Sequence, residues 1–454
     1  MTNNGLSWPS IVRLGLVQTA LGGVIVLTTS TLNRVMVVEL ALPAMLPGFL
    51  VALHHFVQMT RPHVGYGSDV GGRRTPFIIG GMALLATGGI LAALGTAQMS
   101  NHVGGGVAMA FLAFLMIGFG AGAAGTSLLV LLAKRVSQQR RPAAATLVWI
   151  MMIAGFAVTA GTAGQFLDPY SPARLVMVTS AVSVFAFLLT VVAIYGIEAG
   201  SRDVQTAADA EAERQEKAGG MPAFRIAMRE IWQEPQARQF TIFVFVSMLA
   251  YSAQDLILEP FAGTVFGMTP GESTGLAGIQ HSGVLLGMLA VALSGSLLKM
   301  NTVTHLRRWT VGGCIASALA LLGIALGGGI GTEWPLTANV FLLGIANGAF
   351  AVAAIASMMN LASDGKARRE GLRMGLWGAA QAIAFAGGGF LGTVAIDITR
   401  SLIAEPAAAY AIVFSCEAAM FIWAAWLGSA VGNQRSELAP SFGDVAVASV
   451  LNNR

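Results

Sequence analysis

The feature that most constrains this chain is the alternation of apolar stretches about 20 residues long with short loops that hold nearly all of its charge. A helix of that length crosses the hydrocarbon core of a bilayer with every backbone N–H and C=O satisfied internally. Twelve such segments are legible, at 11–33, 43–60, 76–98, 104–133, 143–166, 173–197, 239–259, 273–298, 309–329, 336–360, 371–396 and 406–430. With 55% hydrophobic and only 11% charged residues, and a mean hydropathy of +0.70, the 454 residues are too apolar for a soluble globular domain. The 56 glycines follow no collagen-like period and suit close packing of membrane helices. An all-α polytopic membrane protein is predicted. Met1 to Trp8 is polar and shows no cleavage-site pattern, so the first span is expected to be its own anchor.

Lysine and arginine sort the loops into two sets. The set that includes the N-terminus holds Arg13, Arg61, Arg73, Arg74, Lys134, Arg135, Arg140, Arg141, the cations of a central linker, Lys299, Arg307, Arg308, Lys366, Arg368, Arg369, Arg373, Arg435 and Arg454. The other set holds Arg34, Arg174 and Arg400. By the positive-inside rule both termini are expected in the cytoplasm, and the net charge of +4 reports orientation rather than nucleic-acid binding. Residues 198–238 break the hydropathy and divide an N-terminal six-helix bundle, 1–197, from a C-terminal one, 239–454. After Pro222, Phe224, Ile226, Ile231 and Trp232 are interspersed with Arg225, Arg229 and Arg238, as in an amphipathic helix lying on the inner membrane face. An offset of 228 carries Arg140, Arg141, Trp149, Gly161 and Gly164 onto Arg368, Arg369, Trp377, Gly389 and Gly392. One of 226 carries Gly118 and Gly122 onto Gly344 and Gly348. Two repeated bundles facing each other across a central cavity are therefore expected.

Between the second and third spans, Gly65-Tyr-Gly-Ser-Asp-Val-Gly-Gly-Arg-Arg74 reads as a tight cytoplasmic turn. It resembles the Gly-x-x-x-Asp-Arg/Lys-x-Gly-Arg/Lys-Arg/Lys signature of the major facilitator superfamily at Gly65, Asp69, Gly72, Arg73 and Arg74, with Val70 replacing a cation. These five residues form the candidate gating loop. The corresponding stretch of the second half, 295–308, keeps Arg307 and Arg308 but lacks the aspartate.

Polar groups within a span need a partner or a cavity, because a charge at a helix centre costs roughly 2.5 to 3.5 kcal/mol on insertion scales. Helix 7 holds Tyr251-Ser-Ala-Gln254-Asp255-Leu-Ile-Leu-Glu259-Pro260, with Asp255 and Glu259 on one face and Pro260 expected to end or bend the helix. Such a strip can bind a proton, a cation or a polar headgroup, or be a hydrated helix end. Helix 1 carries Gln18, then Asn33, Arg34 and Glu39. Helices 1 and 7 occupy equivalent places in the two halves, so Arg34 is expected to pair with Asp255 or Glu259, the alternative being an arginine that snorkels to the interface. His54 and His55 of helix 2 and His281 of helix 8 could each ligate a metal centre or hydrogen-bond between helices. Cys314 and Cys416 lie in apolar runs, as small packing residues do. No nucleotide-binding loop, His-Glu-x-x-His or Gly-x-Ser-x-Gly pattern appears, so neither ATP-driven pumping nor these hydrolytic chemistries find support.

The run Thr31-Leu-Asn-Arg-Val-Met-Val-Val-Glu-Leu40, together with Gln18, Arg61, Ser68-Asp69 and Gln254-Asp255-Leu-Ile-Leu-Glu259-Pro260, resembles the PucC/LhaA or bacteriochlorophyll delivery group of the superfamily. The short N-terminus and compact 2–3 loop look most like its third branch, encoded among photosynthesis genes. The resemblance implies a non-enzymatic protein of the bacterial cytoplasmic or intracytoplasmic membrane. It would bind (bacterio)chlorophyll or a precursor and pass it to light-harvesting antenna polypeptides, with pigment-synthesis enzymes as further partners. No covalent cofactor is implied. Gln18, Asn33, Arg34, Glu39, His54, Gln254, Asp255, Glu259 and His281 are then the candidate ligand-binding residues, a histidine meeting the chlorin magnesium. Two other readings stand beside it: a proton-coupled transporter of a small solute, and a scaffold that transports nothing.

Overall fold

The computed structural model describes residues 6–58, 74–137, 140–198, 229, 232–297, 302–363 and 370–430. These contain eleven helices long and apolar enough to cross a membrane and one shorter apolar helix, Met45–Val57. In chain order they are α1 (Trp8–Glu39), α2 (Met45–Val57), α3 (Thr75–Met99), α4 (Val103–Arg135), α5 (Arg141–Leu167), α6 (Pro172–Ile194), α7 (Pro235–Phe266), α8 (Pro270–Leu297), α9 (Thr302–Ile330), α10 (Leu336–Ser363), α11 (Glu370–Leu402) and α12 (Pro406–Ala430). Successive helices run antiparallel, so Trp8 and Ala430 share one end of the bundle, here the terminal end. The turns after α1, α3, α5, α7, α9 and α11 lie at the far end.

Glycine sets how closely the helices approach, because its missing Cβ lets backbone meet backbone. A Cβ on Gly120 would stand 2.5 Å from the Leu85 nitrogen, and one on Gly348 2.0 Å from the Val284 oxygen. The sequence repeat reappears as packing. Gly118 of α4 lies against the His54 carbonyl of α2, and Gly344 of α10 against the Gln280 carbonyl of α8, each pair related by the same offset of 226. The two halves meet along three seams: α1 against α7 and α8, α2 against α11, and α5 against α8.

Three expectations change. The first helix continues to Glu39 instead of ending near 33, through two stretches with wide i→i+5 turns, Leu27–Thr31 and Val35–Glu39. Pro260 does not end α7, which continues to Phe266 and stops at Gly267, in the left-handed conformation (φ 68°) that glycine adopts without strain. Cys314 is buried as a packing residue, but Cys416 is exposed on the outer face of α12. Gly65, Asp69, Gly72 and Arg73 of the gating loop, and most of the 198–238 linker with its amphipathic segment, lie outside the described residues.

Arg74 is described and buried, at the start of α3. Its backbone N–H donates to both Glu198 carboxylate oxygens at 3.0 Å, and that of Thr75 donates at 2.7 Å, so a carboxylate beyond α6 caps α3. Burial works to raise the Glu198 carboxyl, but the hydrogen bonds from Thr75 and Arg74 and the Arg74 charge outweigh it and hold it below its ordinary value of 4.5. A lowered carboxyl contributes stability that is complete above the unfolded value and is lost as pH falls through the folded one. Glu198→Gln is therefore expected to destabilise the protein at pH 7 by about 0.5–2 kcal/mol. In thermal melts of detergent-solubilised protein, the difference from wild type should shrink as pH falls below 4.5.

Candidate functional site

Pro260 has no N–H, so the carbonyl of Leu256, one turn earlier on α7, loses its usual helical donor. In a bilayer interior such a carbonyl must find another. Asn33 of α1 supplies it: its Nδ2 donates to the Leu256 oxygen at 2.6 Å. Around this contact the far-end halves of α1, α7 and α8 form a hydrophilic seam. Ser30 Oγ donates to Glu259, and Thr31 Oγ1 and Thr274 Oγ1 are 3.0 Å apart. Arg34, only 2% exposed, donates to the Met268 carbonyl at 2.6 Å and lies against the bare Cα of Gly263.

Arg34 thus meets helix 7, as its position implied, but its ion-pair partner is Glu39 of its own helix rather than Asp255 or Glu259. Residues five apart lie on different faces of a regular α-helix, whereas the wide turn at Val35–Glu39 rotates Glu39 back beneath Arg34. The snorkelling alternative fails with its burial. Glu259 remains within electrostatic reach of Arg34, so one cation faces two carboxylates. Glu259 Oε2, Asn33 Oδ1 and Arg34 Nε have no hydrogen-bond partner among the described residues.

The other candidates are dispersed. Asp255 accepts from Gln280 Nε2 of α8 at 3.3 Å, beside fully buried Gln254. Gln18 faces α5 within its own half, where its amide donates to Met152 Sδ at 3.2 Å. His54 is buried, with its Nε2 2.7 Å from Gln58 Nε2. Its neighbour His55 is the one that reaches the other half, against Phe385 of α11 at 5.8 Å. His281 is half-buried against Phe156 of α5 at 5.0 Å, with Nδ1 2.8 Å from the Ala277 carbonyl. That bond places the ring proton on Nδ1 and leaves the Nε2 lone pair for a ligand.

Beside Ser30, Thr31 and Thr274 of the seam, two polar residues near Asp255 are missing from the sequence-derived set. Gln280 stands out in the sequence only as a neighbour of His281. Glu417 of α12 is 3% exposed, lies within electrostatic reach of Asp255, and has no hydrogen-bond partner for either oxygen among the described residues. The signal that singles out Asp255, a carboxylate inside an apolar run, applies to it equally. The expected hollow around helices 1 and 7 is also corrected. Arg34 and Asn33 of α1 and Glu259 of α7 are packed in a closed seam and line no hollow themselves, and two cavities lie away from them. One, of about 750 Å³, runs between α9 and α10 near Trp309 and Gly312; the other, of about 1250 Å³, opens at the far end among Gly161, Gly271 and Trp334.

Two six-helix bundles joined along a hydrophilic seam have the major facilitator fold. The solved structure of a point mutant of the peptide transporter POT, in complex with alafosfalin, superposes with a TM-score of 0.68 over 95% of this chain and 96% of its own, at 15% identity. The nucleoside transporter NupG superposes at 0.64 over 93% of this chain and 99% of its own, at 13% identity. The sequence pattern of the family described as PUCC protein matches residues 31–435, and the chain belongs to that family. It is 51% identical over 427 residues, 94% of this chain and 96% of the relative, to the "Bacteriochlorophyll synthase 44.5 kDa chain" of Rhodobacter capsulatus. It is 29% identical over 435 residues to "Protein PucC" of Cereibacter sphaeroides, covering 90% of this chain and 88% of that one.

The Asn33 contact is tested by a double-mutant cycle. Asn33→Leu strands the Leu256 carbonyl and is expected to cost about 1–3 kcal/mol in a thermal or denaturant titration. Pro260→Ala restores the intrahelical donor, so Asn33→Leu should cost clearly less in the Pro260→Ala background.

Proposed function

We propose that this protein assists assembly of light-harvesting complexes by binding (bacterio)chlorophyll or a precursor as cargo and delivering it to antenna polypeptides. The observation that carries the reading is membership of the PUCC protein family, with 51% identity to a chain named for bacteriochlorophyll synthase. The geometry supports it through His281, a half-buried imidazole at the α5–α8 seam with Nε2 available to a magnesium centre. Apolar helix faces around the seam suit a hydrophobic macrocycle and its tail. We take the chain to be non-enzymatic, with both termini cytoplasmic as the Lys and Arg distribution supports. Antenna polypeptides, and a pigment-synthesis enzyme delivering to this chain, are the proposed partners. A proton-coupled solute carrier is the second reading. It draws on Asp255 and Glu417, membrane-buried carboxylates within electrostatic reach of each other, and on the carrier fold.

Protein purified gently from its native phototrophic membrane is expected to show chlorin absorption, reduced several-fold in His281→Leu. A colourless protein from a strain whose deletion leaves antenna assembly normal would overturn the reading. Uptake of a small solute into vesicles that collapses with the proton gradient would favour the second. Pigment-ester formation by the isolated chain would contradict a non-enzymatic role.

A further inference from the structure

The two halves are joined by a matched pair of carboxylate clasps. Asp168, just past α5 in the first half, accepts from Thr269 Oγ1 at 2.6 Å and from the Gly271 N–H at 3.1 Å, at the first turn of α8 in the second half. Asp397, on α11 in the second half, accepts from the N–H groups of Ala44 and Met45 at 2.9 and 2.7 Å, at the first turn of α2 in the first half. Each carboxylate therefore satisfies donors, and meets the positive dipole end, of a helix belonging to the opposite bundle.

The two arrangements are one arrangement repeated. An offset of 229 carries Asp168 onto Asp397, and 226 carries Met45 onto Gly271. The same offsets carry Phe156 onto Phe385 and His55 onto His281, the ring pairs that cross these seams further in. The supports around the first clasp are specific. Thr269 and Glu272 cap α8 reciprocally, Thr269 N to Glu272 Oε2 at 2.8 Å and Glu272 N to Thr269 Oγ1 at 3.1 Å, which aims the Thr269 hydroxyl proton at Asp168. Arg174 holds the Asp168 carbonyl. Both clasps lie at the far end, the same end as the Arg34 seam.

We propose that Asp168 and Asp397 are equivalent latches that hold the far end of the two lateral seams closed. Both release when the halves part there, opening the way to the imidazole–phenylalanine pairs behind them. The inference does not depend on which ligand is carried. Each latch shifts the same closed–open equilibrium, so their effects multiply.

The test reads the opening directly. In a background with Cys314→Ser and Cys416→Ser, Thr274→Cys places a thiol at a fully buried point of the far-end seam, and Ser183→Cys places a control thiol buried within the first half. Labelling by a small water-soluble thiosulfonate in membranes follows the open population. Asp168→Ala or Asp397→Ala should speed labelling at 274 by about fivefold each and by about 25-fold together, the order expected for loss of helix caps. Labelling at 183 should stay unchanged. Donor-side variants keep both carboxylates and decide the matter if the double variant does not fold. Thr269→Val removes one donor, and Ala44→Pro another at a residue whose φ of −63° suits proline, and each should act in the same direction. No acceleration at 274, a double variant no faster than the faster single one, or equal acceleration at 183 would overturn the proposal.

Discussion

A proline inside a membrane helix leaves a carbonyl that no solvent can satisfy, and the seam between the halves is built around it. Pro260 deprives Leu256 of its helical donor, and a side chain from another helix replaces it. Asn33 does so from α1, and that contact places the next residue, Arg34, over Gly263, where only the missing side chain leaves room for a guanidinium. Once there, Arg34 must be neutralised. The widened turn below it swings Glu39 into place, and Ser30 and Glu259 complete the same face. The irregular winding of α1 and the uninterrupted run of α7 are two sides of one requirement.

Around that seam the architecture is repetitive. Glycines bring α2 to α4 and α8 to α10 through the same carbonyl contact, and aspartates tie α5 to α8 and α11 to α2 through the same capping contact. The repeat is broken at α1 and α7. Hydrophilic groups are concentrated there, and the Asn33–Leu256 pairing is tied to a proline at one position of α7.

The bundle architecture was readable because a bilayer imposes it. Spans must be about 20 residues long and apolar, and loop cations sort by side. The ligand candidates were readable as residue types but not as partnerships. His54 and His55 are adjacent in sequence, yet one is buried beside Gln58 of its own helix and the other meets Phe385 across the seam, a choice made by helix rotation. Asp255 and Glu259 share a face, yet one meets Gln280 of α8 and the other Ser30 of α1. Glu417 carried the same signal as Asp255 but stood in its run without a second charged residue to draw attention to it.

The amino-acid sequence by itself determined that this chain spans a membrane many times as helices in two related halves, and placed candidate polar groups on helices 1, 2, 7 and 8. Those properties follow from local hydrophobicity and charge, which each segment carries wherever it packs. Only the tertiary structure decided that α7 passes through Pro260, that Arg34 reaches the Met268 carbonyl, and that Asp168 and Asp397 each cap a helix of the opposite half. Each of these depends on a donor or acceptor brought from a distant part of the chain, and in a low-dielectric interior that distant partner outweighs the local preference.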